Sequence, residues 1–190
     1  MDFQDIILDD KDKQNLLNIS RQTLELFVKK HSRYQVPPSL ITPNLQQKAG
    51  AFVTLRKKDK LRGCIGTFQP QHPLYLTIRD LTISSAAYDH RFTPVEEHEL
   101  PDVEIEISIL TPLQKIHNIE EIELGKDGIL LKKGIFSGTF LPQVATQMQW
   151  TKEEFLGHCA RDKAGIGWEG WKDAEIYTFR TIVFDESLFR

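Results

Sequence analysis

From Val103 to Leu110 the chain reads Val-Glu-Ile-Glu-Ile-Ser-Ile-Leu, and this alternation constrains the fold more than any other stretch. Successive side chains of an extended strand point to opposite faces. Val103, Ile105, Ile107 and Ile109 therefore share one face, and Glu104, Glu106, Ser108 and Leu110 share the other. A helix would scatter the isoleucines around its circumference. A strand buries them together and leaves the other face largely wet, the pattern of a sheet packed on one side. Two neighbouring carboxylates invite an acid–base reading, but alternating Glu on a solvent face explains them with no chemistry.

The rest of the chain supplies partners for that strand. Leu17, Leu24, Phe27 and Val28 recur near helical spacing within residues 10–31, with acids leading and Lys29 and Lys30 closing, as the helix dipole prefers. Pro37, Pro38 and Pro43 then enforce an extended loop to about residue 48. Ala51 to Lys57 reads as a strand, and Lys58-Asp59-Lys60 as a hairpin loop into a second strand from Leu61. His72-Pro73 starts a helix that runs to about Ala87, with Pro at the first helical position. Glu96 to Glu99, with His98 among three glutamates, fits a solvated acidic turn better than a metal site. Residues 119–124 fit a short helical turn or a strand, and 129–131 with 135–141 form a hairpin around Lys132-Lys133-Gly134. Pro142 opens a short helix to Met148. Thr151 with Glu154 is a capping box for a further helix ending near Ala164, with Gly165 just beyond it. That helix puts Phe155, Leu156 and Cys159 on one face, which makes Cys159 a core residue. Residues 176–184 read as one last strand.

Helices and strands interleave without regular βαβ order, so the expected class is α+β: a mostly antiparallel sheet flanked by helices. At 190 residues the chain suits one domain, or two small lobes sharing a core. The net charge of −3 and the absence of a lysine/arginine cluster argue against nucleic acid as a partner. No apolar run approaches the ~20 residues of a membrane span, and the acidic start lacks a signal-peptide core. Two cysteines far apart, neither in a CxxC, make no disulfide framework and suit a reducing cytoplasm.

The stretch most open to chemistry is Leu61-Arg62-Gly63-Cys64-Ile65-Gly66-Thr67-Phe68. Strict alternation would put Arg62, Cys64, Gly66 and Phe68 on one face. A cation beside the thiol would favour thiolate and lower its pKa. Glycine inside a strand marks a bulge or the close approach of a ligand or backbone. The plainer alternative makes Cys64 a small buried hydrophobe and gives the glycines to packing.

This octet closely resembles the signature of the AMMECR-type domain family, whose members include prokaryotic relatives of the AMME syndrome candidate gene product. The resemblance extends over Ala51–Leu55, over Ala86-Ala87-Tyr88-Asp89-His90-Arg91-Phe92, and over Leu100–Ser108. It continues through Leu141-Pro142-Gln143-Val144-Ala145 and Cys159 to Gly165, in the family's order along nearly all the chain. His90, where family members often have proline, and His158 are departures. The resemblance implies a larger lobe holding both termini and a smaller β-rich lobe, here placed at 94–142. It implies no accepted activity. Prokaryotic members are often associated with Memo-like and radical-SAM proteins, which points to a shared pathway acting on a small molecule or protein.

Two readings of function follow. In the first the protein is an enzyme with Cys64 as nucleophile or redox thiol in a cleft at the signature strand. Such a thiol needs a base; His158, His90 and His72 are candidates, with His158 otherwise an edge-of-core or exposed residue. Arg62, Gly63, Gly66, Thr67, Arg91 and Gln143 would contact the substrate. In the second the same groove is a non-catalytic site for a peptide or partner protein, with Cys64 serving shape. The sequence names no cofactor and no metal ligand set, and it contains neither GxxxxGK[ST] nor GxGxxG.

Overall fold

The computed structural model describes residues 7–189; the start of the chain, read above as lacking a signal-peptide core, lies partly outside them. The class is α+β, with two antiparallel four-stranded sheets flanked by helices. The chain divides into two compact units, one running through Leu110 and resuming at Ile182, the other spanning Thr111–Thr181. These limits differ from the 94–142 expected for the smaller lobe.

The first unit begins with helix α1, Asp10–Lys30, capped by Asp9, whose side chain accepts from the Asp12 N–H while Asp12 answers with a bond to the Asp9 N–H. Strands β1 (Ala51–Lys57) and β2 (Lys60–Thr67) form the expected hairpin, turned by Lys58 and Asp59, both with positive φ. Helix α2 covers Leu74–Ala87, with Pro73 one position earlier than expected, at its N-cap. Strand β3 is Val103–Leu110. The first sheet has the order β2, β1, β3 and, at its other edge, the chain's last strand, β8 (Thr181–Asp185). Ala51, Val53, Leu55, Val103, Ile105, Ile107 and Ile109 all lie in the first hydrophobic core, which Leu16, Leu24, Leu74 and Ile78 of the two helices complete. Removing this apolar surface from water is the main favourable contribution to the unit's stability.

The second unit holds the other sheet. Its strands are β4 (Gln114–Ile116), β5 (Gly128–Lys133), β6 (Phe136–Phe140) and β7 (Glu175–Phe179), in the order β4-β7-β5-β6. Helices α3 (Pro142–Met148) and α4 (Lys152–His158) follow the β5–β6 hairpin, and the Thr151–Glu154 capping box is present. After His158 the helix widens into a π turn over Cys159–Ala164 and stops at Gly165, φ 68°. Ile129, Leu131, Phe155, Leu156 and Cys159 belong to its separate core.

Three expectations need correction. The last strand is two strands, broken at Arg180, so that β7 joins the second sheet and β8 the first. Arg180 leaves the ladder because its N–H goes to Thr111 Oγ1 and its guanidinium to Asp127 and Glu123. The short strand β4 was not foreseen. Finally, the acidic turn is a 3-10 helix, Glu97–Asp102, and its Glu99 is buried rather than solvated. Lys57 and Arg62 hold the Glu99 carboxylate, and the Arg62 guanidinium keeps it well below the usual carboxylate range.

Candidate functional site

The signature strand β2 is an edge strand, and its neighbours on one face can be read from the register. Thr54 of β1 stands opposite both Cys64 of β2 and Glu106 of β3, and Phe52 stands opposite both Gly66 and Ser108. Thr54 and Ser108 are buried, while Phe52, Cys64, Gly66 and Glu106 are half-buried.

Arg62 does not flank the thiol. The β1–β2 register slips at Leu55/Arg56, pairing Leu55 with Gly63 and Arg56 with Leu61, which leaves Arg62 as the extra residue of a bulge. A bulge breaks the period of two, and Arg62 turns to Glu99 and to the carbonyls of Thr93 and Pro94. The cation at Cys64 is Arg91, and it reaches the backbone. Arg91 Nη2 donates to the Cys64 carbonyl at 3.2 Å, and the Cys64 N–H donates to Asp89 Oδ2 at 2.8 Å. Arg91 closes the arrangement with a two-pronged pair to Asp89, at 2.9 and 2.7 Å. Both outward-pointing main-chain groups of Cys64 are thereby satisfied as a neighbouring strand would satisfy them. The two most distinctive sequence blocks, around Cys64 and around Asp89-His90-Arg91, are thus one device that caps the sheet edge.

The thiol itself accepts a hydrogen bond from Thr54 Oγ1 at 3.3 Å. Burial pushes its pKa above the ordinary cysteine value. Thr54 and Arg91 pull the other way, and the carboxylates of Asp89 and Glu106 add to the rise. The expected lowering by Arg62 is not found. Asp89 is buried, and Arg91 with the two backbone N–H groups holds its carboxyl well below the usual range.

The glycines are accounted for by packing. A Cβ on Gly63 would stand 2.2 Å from the Ser85 carbonyl oxygen, so glycine lets the last turns of α2 sit against β2. Ser85 Oγ accepts from the Ile65 N–H and donates to the Val53 carbonyl, spanning both strands. A Cβ on Gly66 would strike the ring of Phe52, which also meets Phe68 edge-on. Thr67 Oγ1 accepts from the Gln69 N–H. Among the described residues, the buried side-chain nitrogen or oxygen without a hydrogen-bond partner is Ser108 Oγ. Sequence reasoning missed Asp89, Thr54 and Ser85 as members of this group. Only the resemblance around residues 86–92 pointed near Asp89.

Gln143 and His158 belong to the second unit. Gln143 lies in the first turn of α3, where its carbonyl accepts from Thr146. The His158 ring stacks on Trp150 at 3.9 Å, meets Trp168 edge-on at 4.9 Å, and places Nδ1 2.9 Å from Asp162 Oδ2. Cys159 is fully buried, and burial pushes its thiol up to about 12. His90 is exposed, as is His72. No group of three or more His, Cys, Asp or Glu side chains among the described residues is placed to hold a metal ion. Nor is any described helix long and apolar enough to cross a membrane.

Comparison with known proteins agrees with this architecture. A protein of Thermococcus onnurineus is 38% identical over 183 residues, covering 90% of this chain and 88% of its own. A Nanoarchaeum equitans protein is 36% identical, covering 90% and 99%. The crystal structure of an uncharacterized Pyrococcus horikoshii protein, PH0010, superposes with a TM-score of 0.88 at 34% identity, over 94% of this chain and 93% of that one. The family model for AMMECR1 matches residues 17–184. The chain belongs to the AMMECR1 family.

Proposed function

We propose that this protein acts by non-covalent recognition of a peptide or partner protein at the Cys64 face of the signature strand, and not through a thiolate nucleophile. The observation that carries this reading is the setting of Cys64. A nucleophilic cysteine needs an electropositive, partly exposed site and a base. Here burial raises the thiol's pKa, the nearest cation is neutralised by Asp89, and the thiol's hydrogen-bond partner is a threonine hydroxyl. The surroundings offer what interfaces use instead. Phe52, Phe68 and Phe92 are half-buried, Arg91 and Tyr88 are exposed, and aromatic residues and arginine are the side chains that dominate binding hot spots. The free thiols of Cys64 and Cys159 fit a reducing cytoplasm as the place where this happens.

The test is selection of peptides from a displayed library against the whole chain. Binders that survive Cys64→Ala but are lost with Phe68→Ala or Tyr88→Ala support recognition at this face. Binders insensitive to both aromatic changes, or a turnover reaction abolished by Cys64→Ala, overturn it.

A further inference from the structure

The face of the first sheet that carries Cys64 lies opposite the isoleucine core, and the register lays it out row by row. Cys64, Thr54 and Glu106 stand in one row across β2, β1 and β3, with Gly66, Phe52 and Ser108 in the next. On the other side of Glu106, Arg56 stands directly opposite Glu104 and diagonal to Glu106. Side chains on one face interact with their row and diagonal neighbours.

Glu106 is held differently from the other carboxylates near this strand. Asp89 accepts bonds of 2.7 to 3.2 Å, and Glu99 bonds of 2.7 to 3.1 Å. The Glu106 side chain is only 18% exposed, yet its carboxylate meets Arg56 Nε at 3.5 Å. That separation is too long for an ordinary hydrogen bond, and a carboxylate drawn out of water needs such bonds. Ser108 is the next residue of β3 on the same face. It is 1% exposed, and its Oγ has no hydrogen-bond partner among the described residues. Thr54 Oγ1 donates to the Cys64 thiol, so it offers any other group lone pairs alone. Acceptors therefore gather at the middle of this face with donors in deficit, the reverse of an anion site. Phe52, half-buried in the row beside them, provides a ring for an aliphatic stem and a positive head.

We infer, resting on the recognition of a peptide at this face, that the peptide engages it through a lysine or arginine side chain seated at Glu106. The ammonium or guanidinium supplies several donors and no acceptor, which matches the deficit at Glu106, Thr54 and Ser108. The stem lies along Phe52. Arg56 keeps Glu104 directly opposite it when Glu106 takes the incoming cation.

The experiment starts from displayed-library peptides whose binding is lost with Phe68→Ala or Tyr88→Ala. Synthetic copies are titrated by fluorescence anisotropy against the whole chain and against Glu106→Gln, whose urea midpoint reports on folding. Each peptide is also made with its lysine replaced by norleucine, or its arginine by citrulline, which removes the charge and keeps the stem. The peptides should share one lysine or arginine, and removing its charge should weaken binding to the parent about tenfold or more. Against Glu106→Gln the same replacement should change affinity by less than about twofold, because the two charges act as one pair. On the parent alone, the Glu106 carboxyl-carbon NMR resonance should move with the charged peptide and stay in place with its uncharged version. Aromatic-dependent peptides with no shared basic residue overturn the inference and leave recognition at this face standing. So does a replacement that costs as much on Glu106→Gln as on the parent, or a Glu106 resonance unmoved by the charged peptide. A library that yields no peptide sensitive to Phe68→Ala or Tyr88→Ala overturns the recognition itself, and this inference with it.

Discussion

The carboxylate of Asp89 lies 2.8 Å from the backbone nitrogen of Cys64 while its salt-bridge partner, Arg91, bonds the Cys64 carbonyl. One ion pair therefore does for Cys64 what a neighbouring strand would do, and it closes that part of the sheet edge to pairing with another chain. Asp89→Ala removes the acceptor, leaves the Cys64 N–H unpaired and frees Arg91. It should cost about 2–3 kcal/mol of stability, measured by urea unfolding, with Asp89→Asn intermediate.

The same carboxylate makes stability depend on acid. The folded-state pKa of Asp89 is depressed by Arg91, so its contribution is complete above the unfolded carboxylate value of ~3.9 and is lost as pH falls through the folded value. Glu99, depressed by Arg62, acts with the same sign. Urea midpoints should hold steady from neutral pH down to about pH 5 and then fall. In Asp89→Asn that fall should be shallower.

The two signature glycines should differ in tolerance. Alanine at Gly63 would press its Cβ against the backbone carbonyl of Ser85, which cannot move without shifting α2. Alanine at Gly66 meets the Phe52 ring, a side chain able to turn. Gly63→Ala should cost about 3 kcal/mol and Gly66→Ala nearer 1, compared by thermal or urea unfolding.

Two buried serines should respond in opposite ways. Ser85 bridges Ile65 and Val53, so Ser85→Ala should cost about 1–3 kcal/mol. Ser108 Oγ has no partner among the described residues, so Ser108→Ala should lie within about 0.5 kcal/mol of the parent or above it.

These residues mark where the sequence was readable. The isoleucines of 103–110, the capping box at Thr151 and the hairpin at Lys58-Asp59 are local signals, and local physics placed them correctly. Arg180 breaks the last strand through Thr111, Asp127 and Glu123, contacts more than fifty residues away for the side chain, which no window of alternating residues contains. The site failed for a related reason. Alternation set Arg62 beside Cys64, but a single extra residue in β2 reverses the side-chain count, and the register slip that creates it becomes visible only when β1 is laid alongside. Asp89, Thr54 and Ser85 reach Cys64 and its neighbours from other elements, so their roles follow from the tertiary fold.

The most direct measurement of the account is the pH dependence of Cys64 alkylation by iodoacetamide, resolved from Cys159 by peptide mass spectrometry, with the urea-unfolded chain as reference. Cys64 in the folded protein should titrate above the ~8.5 of a free cysteine and label more slowly than in the unfolded chain. A Cys64 that titrates below that value and labels faster when folded would contradict a recognition role and return the thiol to chemistry.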